Sequence, residues 1–431
     1  MAVPSVYLAG KLADCPPVFN AAEWCLSADV SPEREAFAAV DPEAGLVQSW
    51  SFGALRHRVL RAAAAYQASG VLPGDRVVLL LGDVPEFPVA YFGAIAAGAV
   101  ATPLSSQLSP AEVIRILAAV RPKAIVGGAA ETLPAAALAV GSPGAFCPRG
   151  ADDPALLVFT SGSSGQPKGV CHAQRAFWAR QSMMAGWHGI GPGDRVMHAG
   201  AFNWTFTLGV GLADTWRVGG MALLNAGRRD PEVWPALARI HQPTVFAGAP
   251  TVFRRILKYG HGLEEAFSSL RHAVTAGEAL SPRILGHWNE VTGKPLLEAL
   301  GMSEVSTYVS TPPDRVAEPG VAGWPQPGRH VAVLAEDGAP VPRGSIGMLA
   351  VHRDDAGLML GYWEDAVATR ATYLGEWFVT GDLVRMREDG AILYAGRVDD
   401  QMNAQGFRVD PGEVEAAVMQ TPGVAECAAR A

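Results

Sequence analysis

What this sequence lacks narrows its possible functions quickly. Its five cysteines, Cys15, Cys25, Cys147, Cys171 and Cys427, form no CxxC pair and join no histidine at zinc-ligand spacing, so neither a disulfide framework nor a structural zinc site is expected. No block of lysines or arginines occurs, and 34 basic residues against 42 acidic ones leave a net charge of −8. That balance excludes a dedicated nucleic-acid binder. The N-terminus MAVPSVYLAGKLADCPP has no basic segment leading into an apolar core, as a secretory signal would. The most apolar stretch, 89–104, is broken by Gly93, Gly98 and Pro103 and is too short to span a bilayer. A cytoplasmic protein without a membrane partner is expected. Oligomeric state has no sequence signature here.

What remains is a chain rich in buried-type residues. Of 431 residues, 49% are hydrophobic and 18% charged, enough for two or three subdomains of ~150 residues each. Helical spacing over 52–69, 86–98, 207–218 and 233–240 alternates with strand-like runs at 75–81, 124–126, 195–197, 221–224 and 244–247. This alternation predicts an α/β fold with largely parallel sheets. From Val331 onward short strands at 331–334 and 348–351 are separated by glycine and proline turns, which predicts a smaller β-rich subdomain.

The stretch FTSGSSGQPKG, 159–169, follows the strand-like run 156–159 and makes a poor helix or strand interior. As a loop it has a use. Gly162, Gly165 and Gly169 let backbone N–H groups approach an anion, Thr160, Ser161, Ser163 and Ser164 add hydroxyls, and Lys168 adds a charge. It is not a Walker motif, because Lys168 lies between Pro167 and Gly169. GxSxG is also absent, which excludes the nucleophile elbow of a hydrolase.

Four further stretches follow in order: AGEALS at 276–281, ALGMSE at 299–304, WFVTGDLV at 377–384 and GRVDDQMNAQGFRVDPGEVE at 396–415. Singly, Glu304, Asp382, Arg397 and Asp399 read as caps or solvated pairs. In this order and at these separations the five stretches resemble the acyl-adenylate-forming superfamily, which includes acyl-CoA and aryl-CoA synthetases, firefly luciferase and the adenylation domains of peptide synthetases. The resemblance spans nearly the whole chain. FAGAPTVFRRIL at 246–257 and TPPDRVAEPGVAGWPQPG at 311–328 look most like benzoate-CoA ligases.

The resemblance implies ATP-dependent activation of a small carboxylic acid to an acyl-AMP with release of pyrophosphate, then transfer to CoA with release of AMP. It implies ATP and Mg²⁺ as cofactors and CoA as co-substrate. Thr160, Ser161, Gly162, Ser163, Ser164, Gly165 and Lys168 would hold the phosphates, with Thr160 and Glu304 at the metal. Gly277, Glu278 and Ala279 would wall the adenine, and Gly301, Met302 and Ser303 would also bind the nucleotide. Asp382 would accept from the ribose hydroxyls, and Arg397 would reach ribose or phosphate. Lys168, Thr160, Glu304 and Arg397 would carry the catalysis. The domains implied are an N-terminal adenylate-forming domain over 1–397, a hinge over 398–400 centred on Asp399, and the start of a small swinging C-terminal domain over 401–431.

The pattern departs in two places. Leu300 stands where many members have a tyrosine against adenine, and no counterpart is found for the lysine that members carry near their C-terminus. With a helix over 411–420 and an apolar strand at GVAECAARA, 423–431, a truncated C-terminal domain is expected. The acid pocket would be built from Asn203, Trp204, Ala247, Gly248, Ala249 and Gly301. HAGAFNWTF, 198–206, has no acidic residue to bind a substrate amine, so an amino acid is disfavoured. An aryl acid fits best and a short or medium fatty acid next. Phe202, Trp204 and Phe206 also suit a buried strand, and His172 and His198 read as structural rather than catalytic. Two alternatives stand beside the CoA ligase: an acid:carrier-protein ligase, and a non-catalytic nucleotide or acyl-adenylate binding module.

Overall fold

The computed structural model describes residues 3–8, 10–27, 29–160 and 167–398, then 402–404, 407–409 and the single positions 414, 417, 418, 421, 424, 427 and 429. Ser161, Gly162, Ser163, Ser164, Gly165 and Asp399 lie outside the described residues, as does most of the helix expected over 411–420.

Three sheets organise the rest. The first has six strands, among them β1 (Arg76–Leu79), β2 (Val100–Pro103), β3 (Pro154–Thr160) and β4 (Lys168–Ala173). β1, β2 and β3 run parallel, and β4 returns antiparallel beside β3. Val77, Val78, Leu79, Val100 and Ala101 are fully buried, as expected for strands covered by helices on both faces.

The second sheet has nine strands. Its parallel centre runs from Glu35–Asp41 through β6 (Met221–Asn225), β5 (Arg195–His198), β7 (Val245–Gly248) and β8 (His272–Ala276) to β9 (Leu296–Met302). β10 (Ser306–Ser310) then turns back antiparallel. Helices Pro250–Tyr259 and Pro282–Thr292 cover one face, packing Phe253 and Trp288 edge-to-face at 4.9 Å, with Phe246 at 5.6 Å from Phe253. Such aromatic pairs contribute about 0.5–1.5 kcal/mol each beyond the area they bury.

The third sheet is antiparallel throughout and contains β11 (Ile346–His352), β12 (Trp377–Met386) and β13 (Ile392–Arg397). The α/β layers and the later β-rich subdomain therefore form as the sequence pattern predicts. The segment 207–218 is helical, but Thr207–Ala213 winds as a π-helix before Asp214–Arg217 becomes α. Within it Gly209 is required, because a Cβ there would collide with the guanidinium of Arg180. Phe202, Trp204 and Phe206 do not form a strand: Phe202 is buried and stacked on Phe87, Phe206 packs on His198, and Trp204 is 46% exposed.

Candidate active site

Parallel α/β sheets place binding groups at the carboxyl ends of their strands, and the predicted residues gather there. β7 ends in Ala247 and Gly248 with Ala249 next, β8 runs into Gly277, Glu278 and Ala279, and β9 ends in Gly301 and Met302. Their registers, Gly248 beside Thr275 and Ala276 beside Ala299, set the three segments side by side. Gly277 has φ +95°, and a Cβ there would meet nothing within 4 Å. The backbone conformation demands glycine, and its exposed Cα edge leaves a flat face open. Gly301 is required for a different reason, since a Cβ would come within 2.6 Å of the Ser306 carbonyl oxygen. The side chain of Glu278 turns toward the helix that follows β7, accepting from the Thr251 backbone N–H at 3.3 Å and its hydroxyl at 3.2 Å. Only its backbone remains for an adenine wall.

Thr160 and Lys168 face each other across the mouth of the β3–β4 hairpin, the last pair of its ladder. They flank the glycine-serine stretch 161–166 in the sequence. The short strand Gly361–Tyr362 pairs with β4 and delivers Tyr362 to the same place. Lys168 Nζ lies 5.0 Å from the Tyr362 ring centroid, and Tyr362 Oη donates to Glu304 Oε1 at 2.8 Å. Burial and the neighbouring Glu304 carboxylate push the Tyr362 phenol well up, so it stays a neutral donor. Sequence reading missed Tyr362, which lies 58 residues from its acceptor in an unremarked GYW triplet.

Glu304 sits in the turn between β9 and β10, 9% exposed. Mg²⁺ takes oxygen ligands and usually binds through one or two carboxylates plus substrate phosphates. A carboxylate at Glu304 and a hydroxyl at Thr160 suit that chemistry. Among the described residues no group of three or more His, Cys, Asp or Glu forms a protein-only cage.

Asp382 and Arg397 pair across β12 and β13, Arg397 Nη1 donating to Asp382 Oδ1 at 3.1 Å. Thr380 fixes this part of β12: its hydroxyl donates to the Leu349 carbonyl at 3.0 Å and accepts from the Asp382 backbone N–H at 3.1 Å. Gly381 between them has φ +80°. Burial raises the Asp382 carboxyl and nearby Glu304 adds like-charge repulsion, against Arg397 and the Thr380 contact.

The acid-pocket candidates divide. Ala247, Gly248, Ala249 and Gly301 share the strand ends described above. Asn203 lies with Thr160, Pro167, Phe159 and Leu104 around a cavity of about 120 Å³. Buried His198 accepts from the Gly200 backbone N–H at 2.9 Å and is held neutral by burial, its proton affinity lowered to about 3. His172 is likewise buried and lowered to about 4, with Nε2 2.6 Å from the Ser303 carbonyl oxygen. Sequence reading also passed over Glu298, which accepts from the Leu280 backbone N–H at 2.9 Å and whose carboxyl burial raises to about 7.

Comparison with known proteins gives a concordant picture. Residues 26–363 match the model of the AMP-binding enzyme family. The 3-hydroxybenzoate–CoA ligase of Aromatoleum sp. (strain CIB) is 31% identical over 411 residues, covering 89% of this chain and 78% of that protein. ATP-bound MatB from Rhodopseudomonas palustris superposes with a TM-score of 0.87 at 27% identity, covering 94% of this chain and 84% of that one. The anthranilate CoA ligase AuaEII in complex with anthranoyl-AMP also gives 0.87 at 27% identity, over 97% and 84% of the two chains. Among the described residues no helix is long and apolar enough to cross a membrane.

Proposed function

Given that the chain belongs to the AMP-binding enzyme family, we propose that it is an acid–thiol ligase that activates an aryl carboxylic acid with ATP and transfers the acyl group to CoA. The observation that carries the reading is the convergence of Thr160, Lys168, Tyr362, Glu304, Asp382 and Arg397 beside the glycine-lined strand ends of the large sheet.

In the first half-reaction an oxygen of the acid attacks the α-phosphorus of ATP, the bond to the bridging oxygen breaks, and pyrophosphate leaves. Two anions must meet, so the barrier falls only if charge is neutralised and geometry held in advance. Lys168, backed by the Tyr362 ring, supplies positive charge beside the loop. Asp382, held by Thr380 and Arg397, receives the ribose hydroxyls and fixes the nucleoside end. Glu304 and Thr160 would hold Mg²⁺, which supplies further neutralisation of phosphate charge when bound. Gly277 admits a flat group close to backbone, while Gly301 lets β9 and β10 close together beside it. In the second half-reaction the thiol sulfur attacks the acyl carbon, AMP leaves, and the thiol proton is released.

An aryl acid is favoured because the strand ends carry Ala247, Gly248, Ala249 and Gly301 rather than large or charged side chains, and because the 198–206 segment offers an amine no carboxylate. A short or medium fatty acid is the second class that this space suits. Mass spectrometry of the products formed from ATP, Mg²⁺, 3-hydroxybenzoate and either CoA or a phosphopantetheinylated carrier protein tests the assignment. The expected product is an aryl-CoA; acylation of the carrier alone would replace CoA as acceptor, and absence of acyl-AMP and thioester from both would refute the reading.

A further inference from the structure

Beneath the Glu304 turn lies a set of buried polar groups for which the proposed reaction has no direct use. Arg180, one residue past helix Arg175–Ala179, makes a two-pronged pair with Asp214: Nε to Oδ1 at 2.6 Å and Nη2 to Oδ2 at 2.7 Å. His188 Nε2 adds a contact to Asp214 Oδ2 at 3.3 Å. Asp214 is wholly buried; desolvation pushes its carboxyl up, yet Arg180 and His188 together hold it at about 2. The guanidinium is thus fixed before it reaches any further partner. Its remaining arm, Nη1, donates to Ser306 Oγ at 2.9 Å.

Ser306 lies two residues past Glu304 and has φ +64°, a left-handed conformation that a serine adopts only when held. On the other side of Glu304, the buried imidazole of His172 bonds the Ser303 carbonyl oxygen at 2.6 Å. Between these two struts a cavity of about 40 Å³ is lined by His172, Arg180, Gly209, Val305 and Ser306. Val305 packs into the core from the middle of the turn, and the two polar struts hold the backbone on either side of it. Gly209 gives the guanidinium its passage, since a Cβ there would collide with it.

We propose that Arg180 is a positioning residue: anchored by Asp214, it fixes the backbone at Ser306 and so sets the height of the Glu304 carboxylate above the cavity. This rests on the reading that Glu304 faces the Mg²⁺–nucleotide complex. Ser306→Ala removes the contact while leaving the Arg180–Asp214 pair in place, and Ser306→Gly does so while relieving the positive φ. ATP affinity of the 431-residue protein is measured by calorimetry with Mg²⁺ and with EDTA, alongside unfolding midpoints and a Glu304→Gln control. Both Ser306 variants are expected to lose about threefold to tenfold of the Mg²⁺-dependent gain in ATP affinity, with affinity in EDTA unchanged. Ser306→Gly keeps or raises the unfolding midpoint, which separates positioning from stability. A wild-type Mg²⁺ gain in both Ser306 variants, with the gain reduced in Glu304→Gln, overturns the role of Arg180. A wild-type gain in Glu304→Gln as well overturns the underlying assignment of Glu304, and the proposal with it.

Discussion

Replacing Glu298 by glutamine should change how stability depends on pH. Glu298 projects from β9, largely buried, to the Leu280 backbone next to Ala279, and its carboxyl is raised from 4.5 to about 7, chiefly by desolvation and against the Leu280 hydrogen bond. Above about pH 4.5 the unfolded chain releases this proton while the folded chain keeps it. Folding therefore loses stability as pH rises, until the folded carboxyl also ionises near pH 7. From 4.5 to about 7, at about 1.4 kcal/mol per pH unit, the loss amounts to about 3 kcal/mol. Glutamine keeps an oxygen to accept from Leu280 but has no charge to bury. The assay is urea unfolding of both proteins at intervals from pH 4.5 to 8. The stability difference, glutamine variant minus wild type, should climb across that window and then level. Buried neutral His172 and His198, lowered to about 4 and about 3, contribute the opposite slope below about pH 6.5, but equally in both proteins, so they cancel. Parallel curves would refute the reasoning.

Other perturbations separate structure from function. Asp214→Asn strips the buried Arg180 guanidinium of its counter-charge and should cost about 3–5 kcal/mol; the double substitution Arg180→Met with Asp214→Leu should recover much of it in the same urea titration, and a wild-type midpoint for Asp214→Asn would contradict the pairing. Lys168→Ala and Asp382→Ala should each weaken ATP binding about tenfold, the loss of one charge-assisted contact, without lowering the unfolding midpoint by more than a few degrees. Calorimetric titration with ATP checks this, and wild-type affinity in both variants would remove these residues from the site.

The motifs were legible because each is contiguous: a glycine that must take positive φ, as at Gly277 and Gly381, stands next to the residue whose backbone or side chain is used. The α/β layering was legible for a similar reason, since strand and helix periods are local. What joins the motifs was not. Tyr362 meets Glu304 and Lys168 only because a short edge strand pairs with β4. Arg180, Asp214 and Ser306 meet across three separate segments, and nothing in RAFWARQSMM marks its second arginine as buried. The requirement for glycine at 209 was hidden for the same reason, because it comes from the Arg180 guanidinium on a distant segment. Alternating aromatics at 202, 204 and 206 suggested a strand, yet the chain turns there, leaving Trp204 exposed while Phe202 and Phe206 pack separate neighbours.

The central claim is that this site joins an aryl carboxylate to AMP. Acid-dependent exchange of labelled pyrophosphate into ATP measures that step alone, without CoA, across benzoate, 3-hydroxybenzoate, octanoate, acetate and several amino acids. The account predicts exchange with the aryl acids, less with octanoate, and none above background with the amino acids. Exchange driven by an amino acid, or none with any aryl acid from a protein that still binds ATP, would contradict it.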